Sequence, residues 1–421
     1  MAKIERTVAT GTIAAGIAED GRATGRTAAL ATMALVMVLT MSTWFSASAV
    51  IPQLRESWGL STNESSLLTI AVQLGFVAGA LGSSLLNIAD VFAPKRVVWV
   101  AAMGAALANG LIVFADSATA AIPLRFATGA CLAGVYPVGL KLISTWYQSG
   151  RGTALGIMVG ALTLGSAMPH LVNGLGGIDW KQVILATSGL TLAGSLITMA
   201  LVHEGPFPFP RARFDPRQAA QVWSNRGLRL ASFGYFGHMW ELYAMWAWFL
   251  AFFTASLAAD GEAGKSTAAL GTFAVIGIGA IGCYAGGVLG DRWGRTRTTA
   301  LAMAISGSCA ALAGFLFDAS PWVVLGLGLV WGVAVVADSA QFSTIVSELA
   351  DQAYVGTALT LQLAVGFVLT VVTIWLIPIM RDEFGWEWAF AILVPGPLLG
   401  IVAMLYLQRL PEANLIAGGR G

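Results

Sequence analysis

Twelve apolar runs of roughly twenty residues, separated by short polar turns, constrain this chain more than any other feature. An α-helix rises 1.5 Å per residue, so about twenty residues cross the ~30 Å hydrocarbon layer of a bilayer. The runs fall near 28–50, 66–89, 97–115, 121–147, 153–175, 182–202, 229–253, 267–290, 298–317, 322–345, 354–377 and 387–408. The residues between them cannot supply a polar shell. The chain is 57% hydrophobic and 11% charged with a mean hydropathy of +0.76, too apolar for a water-soluble core of ordinary size. Backbone groups in lipid must pair internally, so runs of this length are expected as helices. The fold class that follows is an all-α membrane protein with twelve transmembrane helices.

His203 to Gly227 differs in character, with four prolines before Arg217 and basic residues at Arg211, Arg213, Arg217 and Arg226. It reads as a linker between two halves. The expected organisation is a disordered cytoplasmic tail at 1–27, a six-helix bundle at 28–202, a cytoplasmic linker at 203–227, a second six-helix bundle at 228–410 and a cytoplasmic tail at 411–421. Of 23 Lys and Arg, seventeen fall on the side of the tails and linker and four on the other. By the positive-inside rule both termini are expected in the cytoplasm, which places the chain in the cytoplasmic (inner) membrane. The halves also repeat: Gly152-Thr153-Ala154-Leu155, opening the fifth run, recurs as Gly356-Thr357-Ala358-Leu359, opening the eleventh. Small-residue pairs such as Gly75/Gly79, Gly156/Gly160 and Gly282/Gly286 suit close helix contact in lipid.

Composition also excludes classes. A net charge of +1 with basic residues scattered through short loops offers no nucleic-acid surface. Cys131, Cys283 and Cys309 each sit inside an apolar run with no Cys or His at ligand spacing, so neither disulfide nor metal site is expected, and no cofactor. The three histidines stand far apart, which leaves no nucleophile–base pair for an enzyme. A channel filter is not evident either.

One charged turn carries a specific pattern. Gly287 to Arg297 reads G-x-x-x-D-R-x-G-R-x-R between the eighth and ninth runs, and Leu86 to Arg96 is its worn counterpart, keeping Asp90 and Arg96. The pattern resembles the loop signature of the major facilitator superfamily of membrane transporters, over roughly residues 28 to 410. The resemblance implies two six-helix bundles around a midplane cavity, working by alternating access. In overall texture the nitrate and cyanate permease branch is similar, but the arginines that nitrate carriers place in the second and eighth spans are absent here. Gly156, Gly165 and Pro169 partly resemble the superfamily's antiporter signature, so drug or metabolite efflux is the alternative to uptake of a small organic or inorganic anion.

The resemblance also implies a cytoplasmic gate in which the loop after the eighth span meets the start of the fifth and the loop after the second meets the start of the eleventh. That pairs Asp291 with Arg151, and Lys95 or Arg96 with Glu348 or Asp351; Arg292, Arg295 and Asp90 complete the gate set. Ionisable residues within spans are functional candidates because each costs at least a few kcal/mol at the bilayer centre. Arg125 opens Arg125-Phe126-Ala127-Thr128-Gly129, similar to the superfamily's R-x-x-x-G element, and is read as either an interfacial anchor or a buried functional arginine. Asp338, about 24 Å into the tenth span, either pairs with a basic loop residue or lines the inner pathway. His170 beside Pro169 is expected as a hydrogen-bonded packing histidine. The seventh run is richest in polar residues, with Tyr235, His238, Trp240, Glu241 and Tyr243, and with Trp246 and Trp248 placed in an interfacial belt. Its repeat partner, the first run, contributes Trp44. In the resembled family these two spans line the cavity. Glu241, about 18 Å along its helix, and His238, about 14 Å along, fall near the midplane where coupling ions bind. The sequence therefore points to a monomeric, proton-coupled secondary transporter of a small solute, not an enzyme, with Glu241, His238, Trp44, Tyr235, Arg125 and Asp338 on its pathway.

Overall fold

The structure, a computed structural model, describes residues 25–147, 151–176, 178–207, 215–261, 264–351 and 354–421; within these, the side chains of 89, 90, 151, 216, 219 and 221 lie outside what is described. The expected tail at 1–27 thus falls almost wholly outside the described residues, and Gly25 already opens the first helix. Among the described residues there is no strand. Helices stand at all twelve expected places: α1 (Gly25–Met41), α2 (Thr62–Leu85), α3 (Pro94–Phe114), α4 (Ala118–Ser144), α5 (Gly152–Gly174), α6 (Trp180–Leu201), α7 (Arg226–Ala259), α8 (Lys265–Trp293), α9 (Arg295–Ala313), α10 (Pro321–Leu349), α11 (Val355–Phe384) and α12 (Trp386–Gln408). Ten of them are long and apolar enough to cross a membrane, which makes this a multi-pass membrane protein. The other two are α1, apolar but short, and α9, whose first turns carry Arg295, Arg297 and three threonines.

Local chemistry explains the helix starts. Ser61 and Glu64 form a reciprocal capping box at α2, as do Asp179 and Gln182 at α6, and Asn225 caps α7 through Leu228 N. Each satisfies backbone donors that the first turn leaves orphaned. The sequence placed the start of α7 near Arg229; the Asn225 cap moves it to Arg226. The expected linker is only partly irregular, since Ala219–Ser224 is a short helix. The linker is tied down at its start and at its middle: Thr145 accepts from Gly205 N and Phe207 N, and Thr357 Oγ1 accepts from Asp215 N.

Packing follows the repeat. The α2–α4 contact in the first six helices recurs as α8–α10 in the last six, and α3–α6 recurs as α9–α12. Glycine is required at both crossings. A Cβ on Gly75 would stand 2.0 Å from the Phe126 carbonyl oxygen, and one on Gly286 would stand 1.9 Å from that of Ala337. Backbones touch there, the arrangement small residues permit in lipid. The two sets of six meet along α5–α8 and α2–α11, again related by the repeat, with Gly156 and Gly160 packed on the carbonyls of Cys283 and Ala280. That seam holds the functional candidates.

Four helices are interrupted beside it. α1 gives way to turns over residues 42–47, α4 breaks between Leu132 and Tyr136, α8 at Ile278 and α10 at Asp338. The breaks in α4 and α10 lie at equivalent places in the repeat. Irregular backbone at membrane depth persists only where side chains re-satisfy it.

Candidate functional site

The turns after α1 are stabilised by a buried arginine. Arg125 on α4 is fully buried and makes five hydrogen bonds: Nε to the Leu68 carbonyl at 3.2 Å, one terminal nitrogen to Thr43 O at 2.9 Å, Ser46 Oγ at 3.1 Å and Asn109 Oδ1 at 3.2 Å, and the other to Trp44 O. All acceptors are neutral. Its burial costs several kcal/mol, offset by hydrogen bonds to a charged group at about 1.5–3 kcal/mol each. Arg125 is therefore no interfacial anchor: it holds open the carbonyls that the end of α1 exposes. Asn109 completes the knot, accepting from Ser46 Oγ at 2.6 Å and donating to Ser188 Oγ at 2.9 Å. Asn109 was not singled out from the sequence, although a lone amide within an apolar run is the signal that would have found it.

Within the last six helices a second buried cluster gathers on α7. Glu241, 1% exposed, accepts from Trp331 Nε1 at 2.6 Å and from Ser306 Oγ at 2.8 Å, joining α7 to α10 and α9. His238 Nδ1 lies 2.8 Å from Asp338 Oδ1, both side chains buried. The contact is short without the alignment of a well-formed hydrogen bond, and both Asp338 Oδ1 and His238 Nε2 are left without a hydrogen-bond partner. Asp338 thus turns to a histidine in the membrane interior instead of a basic loop residue, because the break in α10 aims it at α7. Tyr235 packs its ring against His238 at 6.1 Å and against Phe342 at 6.0 Å.

Between the two clusters lies an aromatic seam. Trp44 stands 5.0 Å from Phe76, 5.7 Å from Tyr243 and 5.8 Å from Phe367, while Phe45 stands 6.0 Å from Trp246. Trp246 and Trp248, expected in an interfacial belt, are instead buried, Trp248 donating to the Ile374 carbonyl at 2.9 Å. α7 continues for 34 residues, so these rings fall inside the protein and not at its rim. His170 is also a correction: neither ring nitrogen has a partner.

Both ends of the seam are bridged. On the face away from the linker, Lys265 Nζ meets Glu56 Oε1 at 3.0 Å and Gly174 packs on Leu270. On the linker face Ser84 and Thr360 hydroxyls meet at 3.3 Å, and a Cβ on Gly152 would stand 3.0 Å from either carboxylate oxygen of Asp291. The loop after α8 thus meets the start of α5. The Arg151 and Asp90 side chains lie outside the described residues, so the Asp291–Arg151 pairing has no geometry here. Asp291 pairs with Arg295 at 3.1 Å, within its own loop. Glu348, one of the two acids expected to meet Lys95 or Arg96, is held in this structure by Arg295, through Nε at 3.0 Å and a terminal nitrogen at 2.9 Å; Arg295 also donates to Gln341 at 2.8 Å. Arg295 opens α9 beside the end of α10, where Glu348 lies, and reaches it without crossing the seam. Arg96 and Arg292 are exposed, as is Asp351. Residues 411–421, expected as a tail, fold back on this loop: Glu348 accepts from Ala417 N at 3.1 Å, and Thr296 Oγ1 donates to the Gly421 carbonyl at 2.9 Å. Cys283 and Cys309 are buried and Cys131 half-buried, all as free thiols, and the described residues contain no group of ligands that could hold a metal ion.

Two sets of six helices related by repeat, meeting along a polar and aromatic seam bridged at both ends, define a two-bundle membrane protein. The comparisons give the family. The model of the Major Facilitator Superfamily matches residues 33–263, and that of the sugar (and other) transporters matches residues 229–412. The chain belongs to the Major Facilitator Superfamily. It is 26% identical to a probable sulfoacetate transporter of Cupriavidus necator over 58% of this chain and 60% of that protein. It is 27% identical to a gentisate transporter of Corynebacterium glutamicum over 39% of this chain and 38% of that protein, and 26% identical to a gallate transporter of Pseudomonas putida over 66% and 68%. The match thus spans about 60% of the first of these relatives and little more than a third of the second. The crystal structure of a point mutant of the nucleoside transporter NupG superposes with a TM-score of 0.67 at 14% identity, covering 90% of this chain and 99% of that one, which shows the fold.

Proposed function

We propose that this chain is a secondary active transporter that carries a small organic anion by alternating access, with proton coupling at the buried acids of its last six helices. The observation that carries the reading is the seam itself. Contacts bridge it on both faces, Lys265 with Glu56 on one and Ser84 with Thr360 on the other, so opening either face requires one set to part while the other holds. Exposed pairs of this kind contribute about 0–1 kcal/mol, enough to bias a balanced equilibrium without locking it. Arg125 places a positive charge with neutral partners next to the seam, which favours an anion. The relatives' names, for sulfoacetate, gentisate and gallate, support an organic acid over nitrate.

The remaining assignments belong to the same reading. Twelve helices span the inner membrane of a monomer as bundles 28–202 and 228–410, joined by a cytoplasmic linker, with both termini in the cytoplasm. Asp291, held at the start of α5, and the Arg295–Glu348 pair form the cytoplasmic gate. Glu241 and the His238–Asp338 pair hold the proton, since carboxylates enclosed at mid-depth can change proton affinity as the cavity opens to either side.

Proteoliposome uptake tests this reading. With an inward-acid gradient, saturable accumulation of a labelled organic acid, abolished by a protonophore, is the expected result. Flux that does not saturate, or accumulation that persists without any ion gradient, overturns it.

A further inference from the structure

Five buried side chains along the seam hold polar atoms that no protein group satisfies: Nε1 of Trp44, both amide atoms of Gln73, Oγ of Ser166, both ring nitrogens of His170 and Nε1 of Trp246. None is more than 1% exposed. A buried donor or acceptor without a partner costs about 1–3 kcal/mol, and interiors hold few of them. Five side chains in one region point to a ligand.

The five come from the turns after α1 and from three helices, α2, α5 and α7. Gln73 and Phe76 share a face of α2, and Phe76 stands 5.0 Å from Trp44. Tyr243 bridges Trp44, at 5.7 Å, to Trp246, at 5.6 Å. Ser166 and His170 share a face of α5 with Asn173, which donates to the Ala49 carbonyl at 2.8 Å and so holds that face along the broken end of α1. Phe367 of α11 closes the group, 4.6 Å from Phe76.

Charge selects the ligand. Arg125 lies behind the broken segment, donating to the Thr43 and Trp44 carbonyls, and no carboxylate is among its partners. Of the buried acids, Glu241 is bonded to Trp331 and Ser306, while Asp338 faces His238 with its Oδ1 left without a hydrogen bond. The seam is thus backed by the Arg125 charge, apolar in its walls and supplied with unpaired N–H donors. An aliphatic anion would meet the donors and leave the rings unused. A neutral aromatic would meet the rings without the field.

We infer that this seam binds the anion of a small aromatic acid, its ring between Trp44, Tyr243 and Phe367 and its carboxylate taking hydrogen bonds from Trp44 Nε1, Gln73 and His170. The inference rests on the transporter reading above and narrows its substrate class. In this structure the three rings touch one another at 5.1–5.8 Å, so the ligand's ring enters when the seam opens and takes the place of these contacts, at the offset or edge-to-face separations of about 4.5–7 Å that aromatic rings prefer.

Equilibrium binding to the purified full chain in detergent tests it, with gentisate, sulfoacetate and benzyl alcohol as probes. Gentisate is expected to bind saturably and at least about tenfold more tightly than either of the others. Gln73→Leu, His170→Phe and Trp44→Phe are each expected to weaken gentisate about tenfold to hundredfold, the range for a hydrogen bond to a charged group. Trp44→Phe keeps the ring, and an unchanged melting temperature without ligand shows that the loss is not one of folding. Equal binding of benzyl alcohol, tighter binding of sulfoacetate, or unchanged gentisate affinity in the three variants overturns the inference. Saturable uptake of sulfoacetate with no gentisate binding overturns it too, and leaves the transporter reading standing. Gentisate binding without saturable uptake of any probe overturns the transporter reading alone.

Discussion

His238 Nδ1 and Asp338 Oδ1 meet at 2.8 Å where the tenth helix breaks, and both side chains are closed off from solvent. The break and the pair explain each other: a continuous helix would carry the carboxylate along its axis, whereas the turn at Asp338 aims it at α7. Removing one partner leaves an unsatisfied buried polar group, so His238→Ala is expected to lower unfolding free energy by about 1–3 kcal/mol. The double variant His238→Ala with Asp338→Asn should recover part of that loss. Unfolding titrations with sodium dodecyl sulfate measure both, and purely additive costs would show that the two residues are not coupled.

The glycine crossings separate packing from flexibility. A Cβ on Gly286 meets the Ala337 carbonyl at 1.9 Å, backbone that cannot swing aside, so Gly286→Ala is expected to destabilise by about 1–3 kcal/mol. Gly189, inside α6, has nothing within 4 Å of the same position, and there alanine should be neutral or stabilising by up to about 1 kcal/mol. Equal effects in the same titration would mean that α8 and α10 do not touch as described.

Two ion pairs of different burial should behave differently. The Arg295 side chain is 6% exposed and bound at two nitrogens by Glu348, so Glu348→Gln is expected to cost about 1–3 kcal/mol with little salt dependence. Lys265 and Glu56 are 74% and 67% exposed, and Glu56→Gln should change stability by less than about 1 kcal/mol. Its effect belongs to the conformational balance. Cysteine labelling of the opposite mouth should slow or quicken in Glu56→Gln while the melting temperature stays put, and labelling identical to the parent chain would remove this pair from the gate.

The helices were legible because a twenty-residue apolar run has one structural solution in lipid, and the glycine pairs at 75/79 and 282/286 were legible because only small residues permit backbone contact. What escaped was pairing. Glu348 has basic residues of two loops within plausible reach, and only the direction in which α9 leaves its loop decides for Arg295. Asp338 was placed at the right depth but not against His238, since a break in a helix rotates its later side chains by an amount no periodicity encodes. Trp246 was assigned to a rim because the end of α7 was placed near residue 253 and it runs to Ala259. Gln73, Asn109 and Ser306 were passed over as mildly polar residues in apolar runs, although Asn109 bonds Arg125, Ser306 bonds Glu241 and Gln73 lies unpaired in the seam.

Glu241 carries the last prediction. Both of its carboxylate oxygens are engaged, one by Trp331 Nε1 and one by Ser306 Oγ. An amide fits the same partners, its oxygen accepting from the indole and its NH2 donating to the serine, whose hydroxyl rotates to accept. Glu241→Gln is therefore expected to fold normally and to resemble the protonated carboxyl permanently. If Glu241 releases and takes up the coupled proton, the variant should lose gradient-driven accumulation, while exchange of labelled for unlabelled substrate continues at near the parent rate. Counterflow and accumulation assays in the same proteoliposomes measure both properties. Accumulation by Glu241→Gln with an unaltered pH profile would move the coupled proton to the His238–Asp338 pair.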